Sequence, residues 1–254
     1  MRSQVVPTSY PRRITQDLLA LARGIPTVPV QRRFNLGRVA AARVAAGRPG
    51  WPALFLKAYG AVAKKVPVLR RAYVMLPWPH IVEYPCSVAS VAIEREYEDE
   101  PAVFFAKIGD PADRTLADID ALIRGFAHSP LNEVRPFRKL LRLARLPRPI
   151  RRAALWCGLN IARTRPGQFG TYALTVYSSL GAESLHPISP LTTTLTYGVI
   201  GKNGKVDVRL IYDHRVLDGG TVARALEALE EEMNGSILAE LRGMTTVRPY
   251  ANAV

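Results

Sequence analysis

A histidine and an aspartate spaced four residues apart are the best candidates for chemistry in this sequence of 254 residues. His214 and Asp218 lie in the stretch YDHRVLDGG at positions 212–220. Histidine has the unperturbed pKa closest to physiological pH, so a neutral imidazole can accept a proton from an incoming nucleophile. A histidine in a loop more often has an ordinary structural role, and Asp218 could simply cap the helix that follows it. The spacing alone leaves both interpretations open.

The residues on either side of this stretch predict a strand, then a turn, then a helix. Residues 205–212 alternate between polar and apolar side chains, whereas residues 221–230 repeat with helical spacing. A tight turn at 201–204 predicts a hairpin that joins this strand to another at 191–200. We therefore expect His214 in a loop held by a rigid scaffold, which is a common location for chemistry.

The rest of the chain predicts further helices and strands in a single domain spanning 1–254. Helices are expected at 36–46, at 51–65, after 113–115, and from 221 to about 242–243. Strands are expected at 71–76, 87–94 and 101–108, and residues 170–181 predict a strand that runs into a turn. The first two helices should pack on the sheet. Prolines in residues 1–35 predict an irregular segment there, either an extended arm or an edge.

The composition favours an intracellular protein without a metal centre. Two cysteines, Cys86 and Cys157, cannot form a disulfide framework, and no cluster of Cys, His and acidic residues has metal-ligand spacing. The N-terminus lacks the apolar core of a signal peptide, and no apolar run is long enough to predict a membrane span. We expect a cytoplasmic protein that is soluble or at most peripheral to a membrane.

A concentrated basic segment carries most of the net charge of +14. Between positions 134 and 170 there are ten Lys or Arg residues and no acidic residue. Two amphipathic helical pieces are predicted within it, at 137–146 and 150–163. Such a patch attracts the phosphates of coenzyme A, an acidic acyl carrier protein or anionic lipid, unless it is only a solvated helical face. Nucleic acid is not expected, because no recognised binding motif accompanies the charge.

Three blocks together resemble a known enzyme family. DHRVLDG at 213–219 follows the family signature DHRxxDG, and TVYSSLG at 175–181 is similar to a threonine-hydrophobe-serine block before a Leu-Gly turn. HPISP at 186–190 resembles a Thr-Pro-Ile-Ile-Asn-Pro stretch that follows it. The family is that of the catalytic domains of 2-oxoacid dehydrogenase dihydrolipoyl acyltransferases, with chloramphenicol acetyltransferase a more distant relative. The resemblance covers about residues 25–243.

This resemblance implies an α/β fold of the chloramphenicol acetyltransferase type, in which helices flank a mixed sheet and the active site lies at a trimer interface. It implies that His214 is the general base and that Asp218 orients the loop by an ion pair with an arginine, for which Arg215 is one candidate. Ser178 would donate to the oxyanion and would not be a nucleophile, although Ser178 and Ser179 are also a common turn pair. Substrate-binding roles are expected for Ser179, His186 and Arg215.

The implied activity is transfer of an acyl group from coenzyme A or an acyl carrier to a thiol, hydroxyl or amine. The thioester is a substrate, and no covalently bound cofactor is expected. Partners would be two further copies in a homotrimer, with a larger cage left open, an acidic carrier protein, and an anionic membrane surface meeting 135–165. Alternatives are a non-catalytic scaffold of the same fold and a peripheral lipid acyltransferase.

Three departures from the family are expected to distinguish this chain. No lipoyl domain or subunit-binding segment precedes the matched region, which predicts a stand-alone form. The basic segment, taken as 130–168, would be an insertion where the family has a shorter link. Residues 245–254 do not resemble the apolar tail that helps to join trimers into cages.

Overall fold

The computed structural model describes residues 3–246, in which the alternating segments form eight strands. They are β1 Thr27–Asn35, β2 Arg71–Val74, β3 His80–Glu83, β4 Val88–Tyr97, β5 Glu100–Gly109, β6 Tyr172–Leu174, β7 Thr193–Tyr197 and β8 Lys205–Asp213. Six strands form one sheet in the order β1-β8-β7-β6-β4-β5, and β2 and β3 form a separate hairpin. The sheet is mixed, because β6 runs parallel to β4 and β7 whereas the other pairs are antiparallel.

Nine α-helices lie in the same described part of the chain. They are α1 Tyr10–Ala22, α2 Gly37–Ala45, α3 Trp51–Lys65, α4 Leu116–His128, α5 Arg135–Ala144, α6 Arg148–Asn160, α7 Arg165–Gln168, α8 Gly219–Glu232 and α9 Leu238–Thr246. A π-helical turn at Met233–Ile237 joins α8 to α9. None of the helices within 3–246 has an apolar stretch that is long enough to cross a membrane.

Helix α3 packs on one face of the sheet and builds the main core. Its aromatic side chains meet aromatic residues of the central strands: Phe55 stacks on Tyr197 and Tyr59 on Tyr172, with ring centroids 4.2 Å and 4.0 Å apart. The buried Tyr59 hydroxyl also shares a hydrogen bond with Thr193 at 2.6 Å. These contacts hold β6 and β7 in a defined position relative to the helix.

The other face of the sheet is covered by α1 together with the helices of the basic segment. Helices α1 and α5 contact β5, and α1 also contacts α5 and α6. A buried carboxylate, Asp17 of α1, pairs with Arg151 and Arg152 of α6. Burial alone would raise the pKa of Asp17, but hydrogen bonds from the two arginines lower it below its ordinary value. The basic segment therefore contributes buried structure as well as an exposed charged surface.

Several sequence predictions are confirmed. The helix at 51–65 has the predicted bounds, and the predicted helix at 36–46 is α2, although α2 packs against α9. Helix α4 begins after Thr115, whose side chain accepts a hydrogen bond from the Asp118 backbone N–H as part of a capping box. The hairpin of β7 and β8 and the two helical pieces of the basic segment are also present.

Other predictions are wrong. Residues 1–35 are not irregular throughout, because Pro11 lies in the first turn of α1, where proline costs no helical hydrogen bond. The other prediction for this segment, an edge strand, is confirmed by β1. This strand lies at the edge of the sheet, where Pro29 is tolerated. The sequence predicts no element where strand β3 lies. The strand and turn predicted at 170–181 are both present, although the strand is limited to β6 and the turn is Ser178–Leu180. The C-terminal helix continues to Thr246, and most of the predicted tail lies outside the described residues.

Candidate functional site

His214 follows directly after β8, in the turn that leads to α8. Its backbone N–H donates to the carbonyl of Pro26 at 2.9 Å, which ties the turn to the residue before β1. The imidazole side chain is 49% exposed and its ring centroid lies 5.4 Å from that of Tyr212. The backbone of this histidine is thus fixed by the sheet while its ring remains accessible to a substrate.

Asp213 and Arg215 lock the turn on either side of His214. The buried Asp213 carboxylate accepts hydrogen bonds from Arg215 Nε at 2.9 Å, from Nη2 at 2.7 Å and from the Arg215 backbone N–H at 3.0 Å. The same guanidinium lies 4.5 Å from the ring centroid of Tyr73. Arg215 therefore pairs with Asp213 and not with Asp218, so its contacts in this structure position the loop.

Asp218 occupies the N-cap position of α8, but its side chain makes no capping hydrogen bond. Its carboxylate is 88% exposed, and Oδ1 lies 3.9 Å from His214 Nδ1. That separation is too long for a hydrogen bond. Asp218 thus occupies the N-cap position that the sequence indicated. Its side chain does not make the hydrogen bond that a cap would provide.

Ser178 lies in a short helical turn, Ser178–Leu180, that follows β6. Its side chain is a neighbour of the hydroxyl of Tyr197 at the end of β7. Burial raises the pKa of Tyr197, and the neighbouring Ser178 side chain partly offsets this effect. Ser179 is exposed in the same turn. A buried tyrosine partner for Ser178 carries no recognisable sequence signal.

One chain places Ser178 and His214 at opposite ends of the sheet. Strands β6 and β7 run parallel and β8 runs antiparallel to them, so Tyr197 faces Val208 whereas Thr193 faces Tyr212. The four residue steps from Thr193 to Tyr197 correspond to about 14 Å along the strand. No hydrogen bond joins the two side chains within residues 3–246.

His186 lies at the His214 end of the sheet, and three contacts hold its loop. Its Nε2 is 2.9 Å from the hydroxyl of Thr27, whose backbone partner in the sheet is Asp213. Arg209 holds the start of the loop through Glu183 at 2.6 Å, and Arg165 holds its end through the carbonyl of Pro190 at 3.1 Å. Sequence reasoning missed both arginines, because a buried arginine looks like a solvated one in a sequence.

Exposed apolar side chains lie in the turn that holds Ser178 and in the loop that carries His186. Tyr177 and Leu180 of the turn are 41% and 72% exposed, and Leu185 and Ile188 of the loop are 66% and 59% exposed. A second exposed apolar pair, Trp78 and Ile81, lies on or beside the hairpin of β2 and β3. Exposed apolar patches of this kind mark interaction surfaces.

Comparison with known proteins identifies the fold. No protein-family model matches the sequence, and no curated protein matches it. The structure is similar to the dihydrolipoamide acetyltransferase of Azotobacter vinelandii, with TM-score 0.64 and 17% identity over 96% of this chain and 94% of that chain. It is similar to the cubic core of the pyruvate dehydrogenase multienzyme complex, with TM-score 0.61 and 15% identity over 96% and 94%.

The fold is also similar to that of a chloramphenicol acetyltransferase, with TM-score 0.51 and 14% identity over 91% of this chain and 99% of that chain. The predicted α/β fold of the chloramphenicol acetyltransferase type is therefore confirmed, with a mixed sheet flanked by helices. The chain has the fold of the dihydrolipoamide acetyltransferase catalytic cores, as its sequence blocks predicted. At these identities the likeness establishes the fold.

Proposed function

We propose that this protein is an acyltransferase in which His214 is the general base. It would transfer an acyl group from a thioester of coenzyme A or an acyl carrier to a thiol, hydroxyl or amine. The observation that carries the proposal is the accessible imidazole of His214, held by a locked turn at the end of β8 in an acyltransferase fold. A base in this position would take the proton from the acceptor as it attacks the thioester carbonyl.

The spacing in a similar enzyme supports the same residues. A serine, a histidine and an asparagine were studied for their roles in the catalytic mechanism of the Azotobacter vinelandii enzyme, and that histidine and asparagine are four positions apart. His214 and Asp218 have the same separation here. We infer that Asp218, whose carboxylate approaches the imidazole, helps to orient the loop that carries His214.

The placement of Ser178 supports a site shared between copies of the chain. Ser178 is proposed to donate to the oxyanion of the tetrahedral intermediate, a role that requires its hydroxyl close to the thioester carbonyl. Because one chain holds Ser178 and His214 at opposite ends of its sheet, the serine must come from a second copy. The exposed apolar residues beside Ser178 suit such an interface, and we propose a homotrimer.

The basic helices support an acidic acyl carrier protein as the donor. Arg138 and Arg142 of α5 and Arg145, which follows it, are exposed. Arg151 and Arg165 are instead buried and already paired with other groups. An exposed row of one charge sign steers an oppositely charged protein towards the surface.

Reversal of Arg138 and Arg142 to glutamate should reduce kcat/KM with an acyl carrier protein and leave kcat/KM with a small acyl thioester unchanged.

The proposal is tested by turnover of acyl-coenzyme A with wild type, His214→Ala and His128→Ala. His128 is an exposed histidine at the end of α4 and serves as the matched control. Loss of a general base should lower kcat by about 10²-fold to 10⁴-fold. Equal rates for wild type and His214→Ala would show that the base is elsewhere.

A mixing experiment tests the shared site. His214→Ala and Ser178→Ala are each expected to be inactive alone. When the two variants are co-expressed in equal amounts, about a quarter of the interfaces combine an intact histidine with an intact serine and regain activity. No recovery in a mixture shown to contain mixed oligomers would contradict the shared site.

A further inference from the structure

A cavity of about 1000 Å³ lies between the sheet face opposite to α3 and the helices α1, α5 and α6 that cover that face. Its wall is mainly apolar, with Ile14 and Leu18 of α1, Leu140 and Leu143 of α5, Leu155 of α6, and Phe105 of β5. The volume is at the upper end of the range for small-molecule sites in proteins. An apolar cavity of this size suits a long alkyl chain.

A lysine interrupts this apolar wall. Lys107 of β5 lines the cavity, and its Nζ donates to the Phe105 carbonyl at 3.2 Å. No carboxylate pairs with it within residues 3–246. Lys139 and Arg135 of α5 line the cavity as well and add positive charge beside it. Lys107 is partly buried, whereas Lys139 and Arg135 are exposed at the mouth of the cavity. A partly buried lysine that pairs with no carboxylate in the described residues, with two further cations beside it, favours an anionic ligand.

The cavity extends from this cationic cluster towards the proposed transfer site. Across the sheet, Lys107 is aligned with Ser90, Thr194 and Ile211 through successive strand pairs. The four strand spacings from β5 to β8 amount to about 19 Å. Thr194 and His186 also line the cavity, so an apolar chain starting at Lys107 can run along the sheet for much of this distance.

We propose that this cavity binds the anion of a long-chain fatty acid, with the carboxylate on Lys107 and the alkyl chain along the apolar wall. Lys139 and Arg135 would contribute attraction at the mouth. The ligand class follows from the combination of one cationic cluster with a long apolar wall. The proposal concerns binding alone and stands without the transfer chemistry proposed for His214.

Burial lowers the pKa of Lys107 to about 8. A bound carboxylate favours the charged lysine, so binding should weaken as pH rises above about 8 and the free site loses its proton. Lys139 of α5 is the charged neighbour of Lys107, and the other charged or titratable side chains that line the cavity are Arg135 of α5, Tyr177 and His186, whereas α1 and β4 contribute only uncharged side chains. A Lys107→Met variant should lose this dependence.

The test is displacement of a fluorescent fatty acid, cis-parinaric acid, by palmitate from the full-length protein. Lys107→Met should weaken palmitate binding about tenfold or more, because a charge-assisted hydrogen bond is lost. Ala154→Trp, which fills the cavity from α6, should also weaken it. Lys202→Met, at an exposed turn, and His214→Ala should bind as wild type does.

Three competitors separate the head group from the chain. Palmitate should displace the probe, whereas 1-hexadecanol, which lacks the charge, and octanoate, which lacks the length, should be at least about tenfold weaker. Wild-type affinity in Lys107→Met, or equal displacement by 1-hexadecanol, would overturn the proposal. Displacement by coenzyme A and not by palmitate would also overturn it. Thermal unfolding followed by circular dichroism confirms that each variant is folded.

Discussion

Replacement of Lys107 by methionine should make the protein more stable at neutral pH, and this gain should disappear at high pH. Burial against the apolar wall lowers the pKa of Lys107 from 10.5 to about 8. Below pH 8 the lysine is charged in both the folded and the unfolded states, so the folded state carries the full cost of the buried charge. Between pH 8 and 10.5 only the unfolded state binds the proton, and wild-type stability rises with pH.

The magnitude follows from the difference in pKa between the two states. A pKa difference of 1 corresponds to 1.36 kcal/mol, so the difference of about 2.5 sets an upper bound of about 3.4 kcal/mol. The measured value should be smaller, because solvent reaches the mouth of the cavity and screens the charge. Methionine has a similar length and no charge, so Lys107→Met should keep most of the packing. We therefore expect a variant that is about 2 kcal/mol more stable than wild type at pH 7.

Urea unfolding of both proteins from pH 7 to pH 10.5 measures this difference. Titrations elsewhere in the chain are common to both proteins and cancel in the comparison. Lys202→Met, at an exposed turn, controls for loss of one surface charge and should show no trend with pH. A constant difference between Lys107→Met and wild type across the range would refute a buried charge at this position. A variant that is less stable at pH 7 would refute it as well.

Three further predictions concern the site and the layers that hold it. Arg215→Met should lower stability by about 3 kcal/mol in urea unfolding and reduce turnover, because Asp213 is left as an unpaired buried charge. Unchanged turnover would show that the locked turn is dispensable. Gly204→Ala should cost about 2 kcal/mol or more in the same assay, since the residue has φ +75° and a β-carbon would overlap a neighbouring backbone, whereas Gly24→Ala should be nearly neutral. Asp17→Asn should make α1 more sensitive to limited proteolysis, and equal cleavage rates would contradict its role in holding that helix.

Local signals allowed much of the chain to be predicted from the sequence. The apolar spacing and the flanking glycine and proline define α3, and the turn at 201–204 defines the hairpin of β7 and β8. These signals work because helix periodicity and turn chemistry depend on neighbours in the chain. The block around His214 was identified in the same way, as a strand followed by a turn. The prediction of an irregular segment at 1–35 is wrong, because a proline that stops a helix in its interior is compatible with the first turn of one.

The sequence thus determines the main helices, the hairpin and the position of His214 at a turn, since these depend on residues a few positions apart. The tertiary structure decides which groups meet. Only the pairing of β6, β7 and β8 shows that Ser178 and His214 of one chain lie at opposite ends of the sheet. Only packing makes Arg165 a buried anchor and leaves Lys107 as a charge in an apolar cavity. The physical reason is that burial and strand register arise from contacts between residues distant in sequence. The type of a single residue does not indicate which of these contacts it makes.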